Sequence, residues 1–145
     1  MKAVLQRVSG AVLCVDGEKI SEIAEGLVVY FGVAKGDDEA KVEKSVKKIV
    51  NMRIFEDAAG KLNLSVQDVK GEILLVSQFT LLADCSRGNR PDFFGAEAPD
   101  RAKTLYEYAG KLISGYGINV KYGVFGADMR IAQNNSGPVT IIWEC

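Results

Sequence analysis

Apolar and polar positions divide the chain into short strands and two amphipathic helices. Ala3, Leu5 and Val8, then Ala11, Leu13 and Val15, alternate well enough to predict a strand over 2–15. Gly10 within it marks a bulge or bend. Asp16-Gly17 is a hairpin signal before a second strand over 19–24. Leu27 to Phe31 is an unbroken β-rich run, as expected of a strand buried on both faces. Gly36-Asp37-Asp38 then stops the strand, and either aspartate can cap a helix by accepting from its free N–H groups. Val42, Val46, Ile49 and Val50 follow at helical spacing.

Asp57 to Gly60 reads as a turn, and 62–66 is ambiguous between strand and loop. Ile73 to Val76 predicts another buried strand, running into Ser77-Gln78-Phe79-Thr80. A polar loop spans Cys85 to Phe94. Pro99 suits the first turn of a second helix, with Ala102, Leu105, Ala109, Leu112 and Ile113 as its apolar face and Gly115 and Gly117 at its end. Strands are expected near 118–125, 129–133 and 139–144, the last two joined by a turn at 134–138. The order is three strands, helix, strand, helix, three strands. The fold class is therefore α/β: one mixed domain over 1–145, a curved sheet or partial β-barrel with two helices packed on one side.

Composition narrows what such a domain does. With 145 residues, 48% hydrophobic and 26% charged, the chain suits one globular domain. The formal net charge of −1 lacks the basic excess of a general nucleic-acid binder, so any RNA contact is a local patch. Cys14, Cys85 and Cys145 are odd in number and widely spaced, which argues against a disulfide framework and a cysteine-based zinc site. Met1 to Arg7 lacks a signal peptide's apolar stretch, and the run from Gly26 to Ala34 is too short to cross a bilayer. A cytoplasmic protein with no membrane partner is expected. The chain has no histidine, which removes every Ser-His-Asp, Cys-His and histidine-metal mechanism. No metal and no cofactor is called for.

Two segments break the division into core and solvent. Ser77 to Thr80 places hydroxyls and an amide where a buried strand ends, and nearby backbone N–H groups can bind an oxyanion. The same residues also suit an ordinary polar strand end. Asn134 to Thr140 reads either as a hairpin turn or, because an X-Pro bond can be cis, as a sharply bent segment that exposes its carbonyls. Arg87, Asn89 and Arg90 form a cationic cluster that either holds phosphates or faces solvent, and Lys41, Lys44, Lys47 and Lys48 suit a solvated helix face. Asp84, Asp92 and Asp128 lie near these segments, but their spacing fixes no pair.

Together, Ser77-Gln78-Phe79-Thr80-Leu81 and Asn135-Ser136-Gly137-Pro138-Val139-Thr140 resemble the two signature motifs of the D-aminoacyl-tRNA deacylases. Met1 to Ser9 resembles the family's first strand, and Ala83-Asp84 with Arg87 to Pro91 fits the loop after its first motif. The resemblance runs from end to end. It implies an editing hydrolase that takes the aminoacyl acceptor end of tRNA and forms a homodimer with active sites at the subunit interface. It implies catalysis around Ser77, Gln78, Phe79 and Thr80, assisted by the substrate's own 2′-hydroxyl. Gly137 and Pro138, with Asn135, would face the partner's site through a cis bond and exclude L-aminoacyl esters, while D residues and glycine enter. Arg7 resembles the arginine that steadies this motif. Thr80 reads as a positioning group, since no base stands ready to make it a nucleophile. The rivals are an RNA-binding module without activity, an editor of mischarged L-alanine, and a structural protein with no small-molecule site.

Overall fold

The computed structural model describes all of residues 1–145. It contains eight strands and two helices: β1 (Lys2–Val15), β2 (Glu18–Ile23), β3 (Gly26–Gly32), α1 (Glu39–Val50), β4 (Phe55–Glu56), β5 (Leu62–Leu64), β6 (Glu72–Ser77), α2 (Pro99–Gly115), β7 (Val120–Tyr122) and β8 (Met129–Glu144). Asp16 and Gly17 both take positive φ, 51° and 84°, in the turn that the Asp-Gly pair predicts between β1 and β2.

β1 is the spine of the sheet. It pairs antiparallel with β3 over Lys2 to Val8 and with β2 over Ala11 to Val15. Along the same length it pairs antiparallel with β8. β3 then pairs in parallel with β6, and β6 with β7. The resulting order is β2-β1-β3-β6-β7, with β8 against β1. The sheet curls until its ends meet, where the Ser21 hydroxyl donates to the Tyr122 carbonyl of β7 at 3.0 Å. The expected mixed α/β domain with a nearly closed, barrel-like sheet is what forms.

Both helices cover one face. Val42, Val46, Ile49 and Val50 of α1 and Leu105, Ala109 and Ile113 of α2 pack in one cluster with Leu5, Leu27, Val29, Phe31, Ile73 and Leu75 of the sheet. The alternate strand residues, including Val8, Leu13, Val28, Leu74 and Val76, form a second cluster inside the curl. β3 and β6 contribute to both clusters, which is why their sequences are continuously apolar. Asp38 is the cap of α1, accepting from the Lys41 N–H at 2.9 Å. Asp37 is buried and accepts from the Met1 ammonium instead.

Two expectations about elements need correction, and one ambiguity is resolved. The segment 134–138 is not a hairpin turn between two strands. β8 is one strand of 16 residues, because β1 is long enough to pair with it on both sides of that segment. The register passes from Gln6–Thr140 to Val8–Asn135, so Ser136 to Val139 bulge out of the ladder. A second shift, between Val8 and Gly10, falls where Gly10 predicts one. The strand expected over 118–125 shrinks to three residues, since only Ile73 to Leu75 of β6 offers partners. The ambiguous 62–66 segment supplies β5, which forms a small separate hairpin with β4.

Candidate active site

β6 ends at Ser77, still paired with Phe31 of β3, and the Gln78 N–H closes the ladder on the Phe31 carbonyl at 2.9 Å. Phe79 to Leu82 then form a single 3₁₀ turn. N–H groups in the first turn of any helix have no partner within it, and no side chain caps this one. The Gln78 side-chain amide donates to the Thr80 hydroxyl, which links the two polar side chains. Phe79 is 57% exposed and meets the ring of Phe93 edge to face, centroids 5.1 Å apart.

Ser77, Gln78, Phe79 and Thr80 line one cleft of about 430 Å³. Its far wall is Gly126 to Met129 with Ile131, and its floor includes Val76. A rigid strand end therefore presents polar groups and backbone N–H groups to an open cleft. Of the three carboxylates near the motifs, Asp128 stands on the cleft wall. Asp84 and Asp92 face each other across the next loop instead, each donating its N–H to the other's carbonyl, at 2.9 and 3.0 Å. A groove of similar size, about 460 Å³, runs between the helices past Glu43, Lys44 and Lys47, but no motif residue lines it.

The second motif sits apart. Gly137, Pro138 and Asn135 are exposed on β8, and none of them lines the cleft of its own chain. The Gly137-Pro138 bond is cis. Val139 is buried in the helix-side core and anchors the bulge from below. Arg7 holds it from the side. That side chain is almost fully buried, with Nε donating to the Ser136 carbonyl at 3.1 Å and Nη2 to the Gly137 carbonyl at 3.3 Å. Its remaining donors reach the Ile54 carbonyl at 2.9 Å and Glu56 Oε1 at 3.2 Å. One guanidinium thus joins β1, β4 and β8, a task for a planar fork of donors and not for a lysine.

Sequence reasoning missed the residues that fix Asn135. Gln133 Nε2 donates to Asn135 Oδ1 at 2.7 Å and to Gln6 Oε1 at 2.6 Å, while the Tyr30 hydroxyl donates to Gln133 Oε1 at 3.0 Å. Burial raises the ordinary pKa of Tyr30, so it stays a neutral donor. Glu56 and Gln133 carry no local signal, because Arg7, which Glu56 meets, and Gln6 and Tyr30, which Gln133 meets, are distant in sequence. Gly126 and Ala127 are equally hidden, in a short loop of ordinary composition.

Comparison with known proteins shows the family. A family model described as D-Tyr-tRNA(Tyr) deacylase matches residues 4–144. The chain is 51% identical over 144 residues to a D-aminoacyl-tRNA deacylase of Geotalea daltonii, covering 99% of this chain and 96% of that one. It is 54% identical over 142 residues to one of Aquifex aeolicus, covering 98% and 96%. Among solved structures, the c-Myc DNA unwinding element binding protein superposes with a TM-score of 0.94 at 42% identity, covering 100% of this chain and 99% of that one. A probable eukaryotic D-amino acid tRNA deacylase superposes at 0.84 with 17% identity, covering 98% and 97%, a likeness of fold alone. Matched along nearly its whole length by model and relatives alike, the chain belongs to the D-Tyr-tRNA(Tyr) deacylase family and is a hydrolase of D-aminoacyl-tRNA.

Proposed function

We propose that the cleft beside Phe79 and Thr80 holds the aminoacyl ester at the 3′ end of tRNA, and that Gly137-Pro138 of a partner subunit excludes L-aminoacyl esters from it. The observation that carries this reading is the separation of the two motifs. Ser77 to Thr80 line a cleft, whereas Gly137 and Pro138 project from the same chain's surface, away from it. A second copy brings them together. Two further features favour that copy: β8 pairs only with β1, and Ile142 on it is 66% exposed.

The backbone N–H groups near Phe79 and Thr80 stabilise the oxyanion that forms when water attacks the ester carbonyl. The ester is already activated, and the neighbouring 2′-hydroxyl of the substrate assists proton transfer within hydrogen-bond reach. Thr80, tied to the Gln78 amide, positions the substrate and forms no covalent intermediate. Carbonyl oxygens of Gly137 and Pro138, in a motif steadied by Arg7, stand where an L side chain would go. A D side chain points elsewhere and needs no fitted pocket, and glycine has none to clash, so glycyl-tRNA is also cleaved. The enzyme edits tRNA in the cytoplasm as a homodimer and needs no cofactor.

The test is hydrolysis of D-tyrosyl-tRNA and L-tyrosyl-tRNA, side by side, by purified protein. Rapid release of D-tyrosine with the L-ester spared is the expected result. Equal release from both would keep the esterase and refute exclusion by Gly137-Pro138. The same assay on L-alanyl-tRNA reads the editor of mischarged L-alanine, which would release L-alanine in preference to D residues.

A further inference from the structure

The loop that follows the 3₁₀ turn carries two arginines and an aromatic ring with no use inside the protein. Asp84 and Asp92 close its base. Their carboxylates accept from their own loop, Asp84 from the Ser86 N–H at 2.8 Å and Asp92 from the Phe94 N–H at 3.2 Å. Those bonds hold the Asp84 carboxyl below its ordinary pKa. Neither carboxylate forms an ion pair with Arg87 or Arg90, which stand exposed at the tip without an ion pair or hydrogen bond. Of the other cations, Arg101 is paired with Glu39, Lys41 with Asp37 and Lys2 with Glu144. Phe94 is 80% exposed, the most exposed of the large apolar side chains. Its neighbour Phe93 touches Phe79 on the cleft, so the loop begins where the cleft ends.

We infer that the loop from Asp84 to Gly95 grips the backbone of the tRNA's single-stranded 3′ end, with Arg87 and Arg90 on phosphates and Phe94 stacked against a base. This rests on the cleft holding the aminoacyl ester. An unpaired strand leaving the cleft must pass its rim. Free guanidinium groups beside an exposed ring are the chemistry that binds such a strand without reading its sequence. The rival surface is the lysine face of α1. Lys44 and Lys47 are exposed, but α1 packs on the helix-side core, whereas Val76 and Ile131 of the cleft belong with the cluster inside the curl. Those lysines lie across the sheet from the cleft, interleaved with Glu39 and Glu43.

The experiment compares wild type, R87A/R90A and K44A/K47A on two substrates, D-tyrosyl-tRNA and 3′-O-D-tyrosyl adenosine, which has no phosphates. For R87A/R90A on tRNA, KM should rise on the order of tenfold at physiological salt. Its logarithmic salt dependence should weaken by about 1.4, since a single strand contributes about 0.7 per phosphate contact. Its kcat, and its kcat/KM on the adenosine ester, should stay at the wild-type value. K44A/K47A should match wild type on both. Unchanged KM for tRNA in R87A/R90A, or a rise only in K44A/K47A, would overturn the assignment. So would an equal loss on both substrates, which would mean that the loop merely shapes the cleft. Wild type inactive on both esters would sink the reading of the cleft itself.

Discussion

Arg7 and Gly137 are 130 residues apart in sequence, yet Nη2 of the one donates to the carbonyl of the other at 3.3 Å. The same guanidinium satisfies the carbonyls of Ser136 and Ile54. Arg7→Ala would leave all three acceptors short of a donor and a hole beneath the bulge. Hydrogen bonds to a charged donor contribute about 1.5–3 kcal/mol each before relaxation, so a loss of about 3 kcal/mol is expected in urea denaturation. Arg7→Lys should cost less stability but still lower the D-to-L preference, since one ammonium cannot hold two carbonyls in a fixed geometry.

Gly137→Ala separates exclusion from folding. A Cβ at this position meets no other atom within 4 Å, so the variant should unfold within about 0.5 kcal/mol of wild type. The added methyl projects into the space that the proposed function assigns to the partner's substrate. Hydrolysis of D-tyrosyl-tRNA should fall at least about tenfold, equivalent to about 1.4 kcal/mol of transition-state stabilisation. Steady-state kinetics beside a melting curve reads both effects.

Thr80→Ala distinguishes positioning from nucleophilic catalysis. Thr80 is exposed, and its hydroxyl accepts from the Gln78 amide. A positioning role predicts a fall in kcat/KM within about a hundredfold, the range of a lost orienting contact. Complete loss, with an acyl-enzyme trapped on Thr80 of wild type in rapid-quench mass spectrometry, would overturn it.

Gly26→Ala should fail to fold. β3 and β6 approach so closely at Gly26–Glu72 that a Cβ would overlap the Glu72 carbonyl oxygen and stand 2.7 Å from its nitrogen. Both atoms are backbone within a sheet and cannot rotate away. A cost above about 4 kcal/mol is expected, enough to send the chain into the insoluble fraction on expression.

Acid should destabilise the protein through Asp37. Burial pushes its pKa up, but bonds from the Met1 ammonium, the Ala34 N–H and Lys41 outweigh burial and hold it below the usual 3.8. A carboxyl with a lowered folded-state pKa contributes stability above 3.8 and loses it as pH falls through the folded value. Stability should therefore drop as pH falls below about 4, and Asp37→Asn should flatten that limb while lowering stability at neutral pH. Urea midpoints from pH 3 to 7 measure it.

Periodicity sufficed for most elements. The alternation in β1, the unbroken apolar runs of β3 and β6, and the helical spacing of Val42 to Val50 each follow from local geometry that a few residues impose on themselves. The missing histidine bounded the chemistry before any fold was known, and both motifs could be read from residue order alone. Tertiary structure decided the rest, because it depends on partners that residue order does not bring together. Asn134 to Pro138 looks like a turn by composition. Asn134 and Asn135 stay in the ladder and Ser136 to Val139 bulge from it, because β1 runs past on both sides and offers more pairing than a hairpin would. The two ends of the guanidinium's grip, Ile54 and Gly137, have no relation in sequence, and neither has Gln133 with Gln6. Closure of the sheet is likewise a long-range event, since Ser21 meets Tyr122 only after every strand between them has twisted the same way. Local geometry named the strands and the helices, and resemblance picked out the two motifs. Contacts across the chain set the cleft opposite Met129 and hung Gly137 on Arg7, because a hydrogen bond or a packed wall needs atoms close in space, whatever their separation along the backbone.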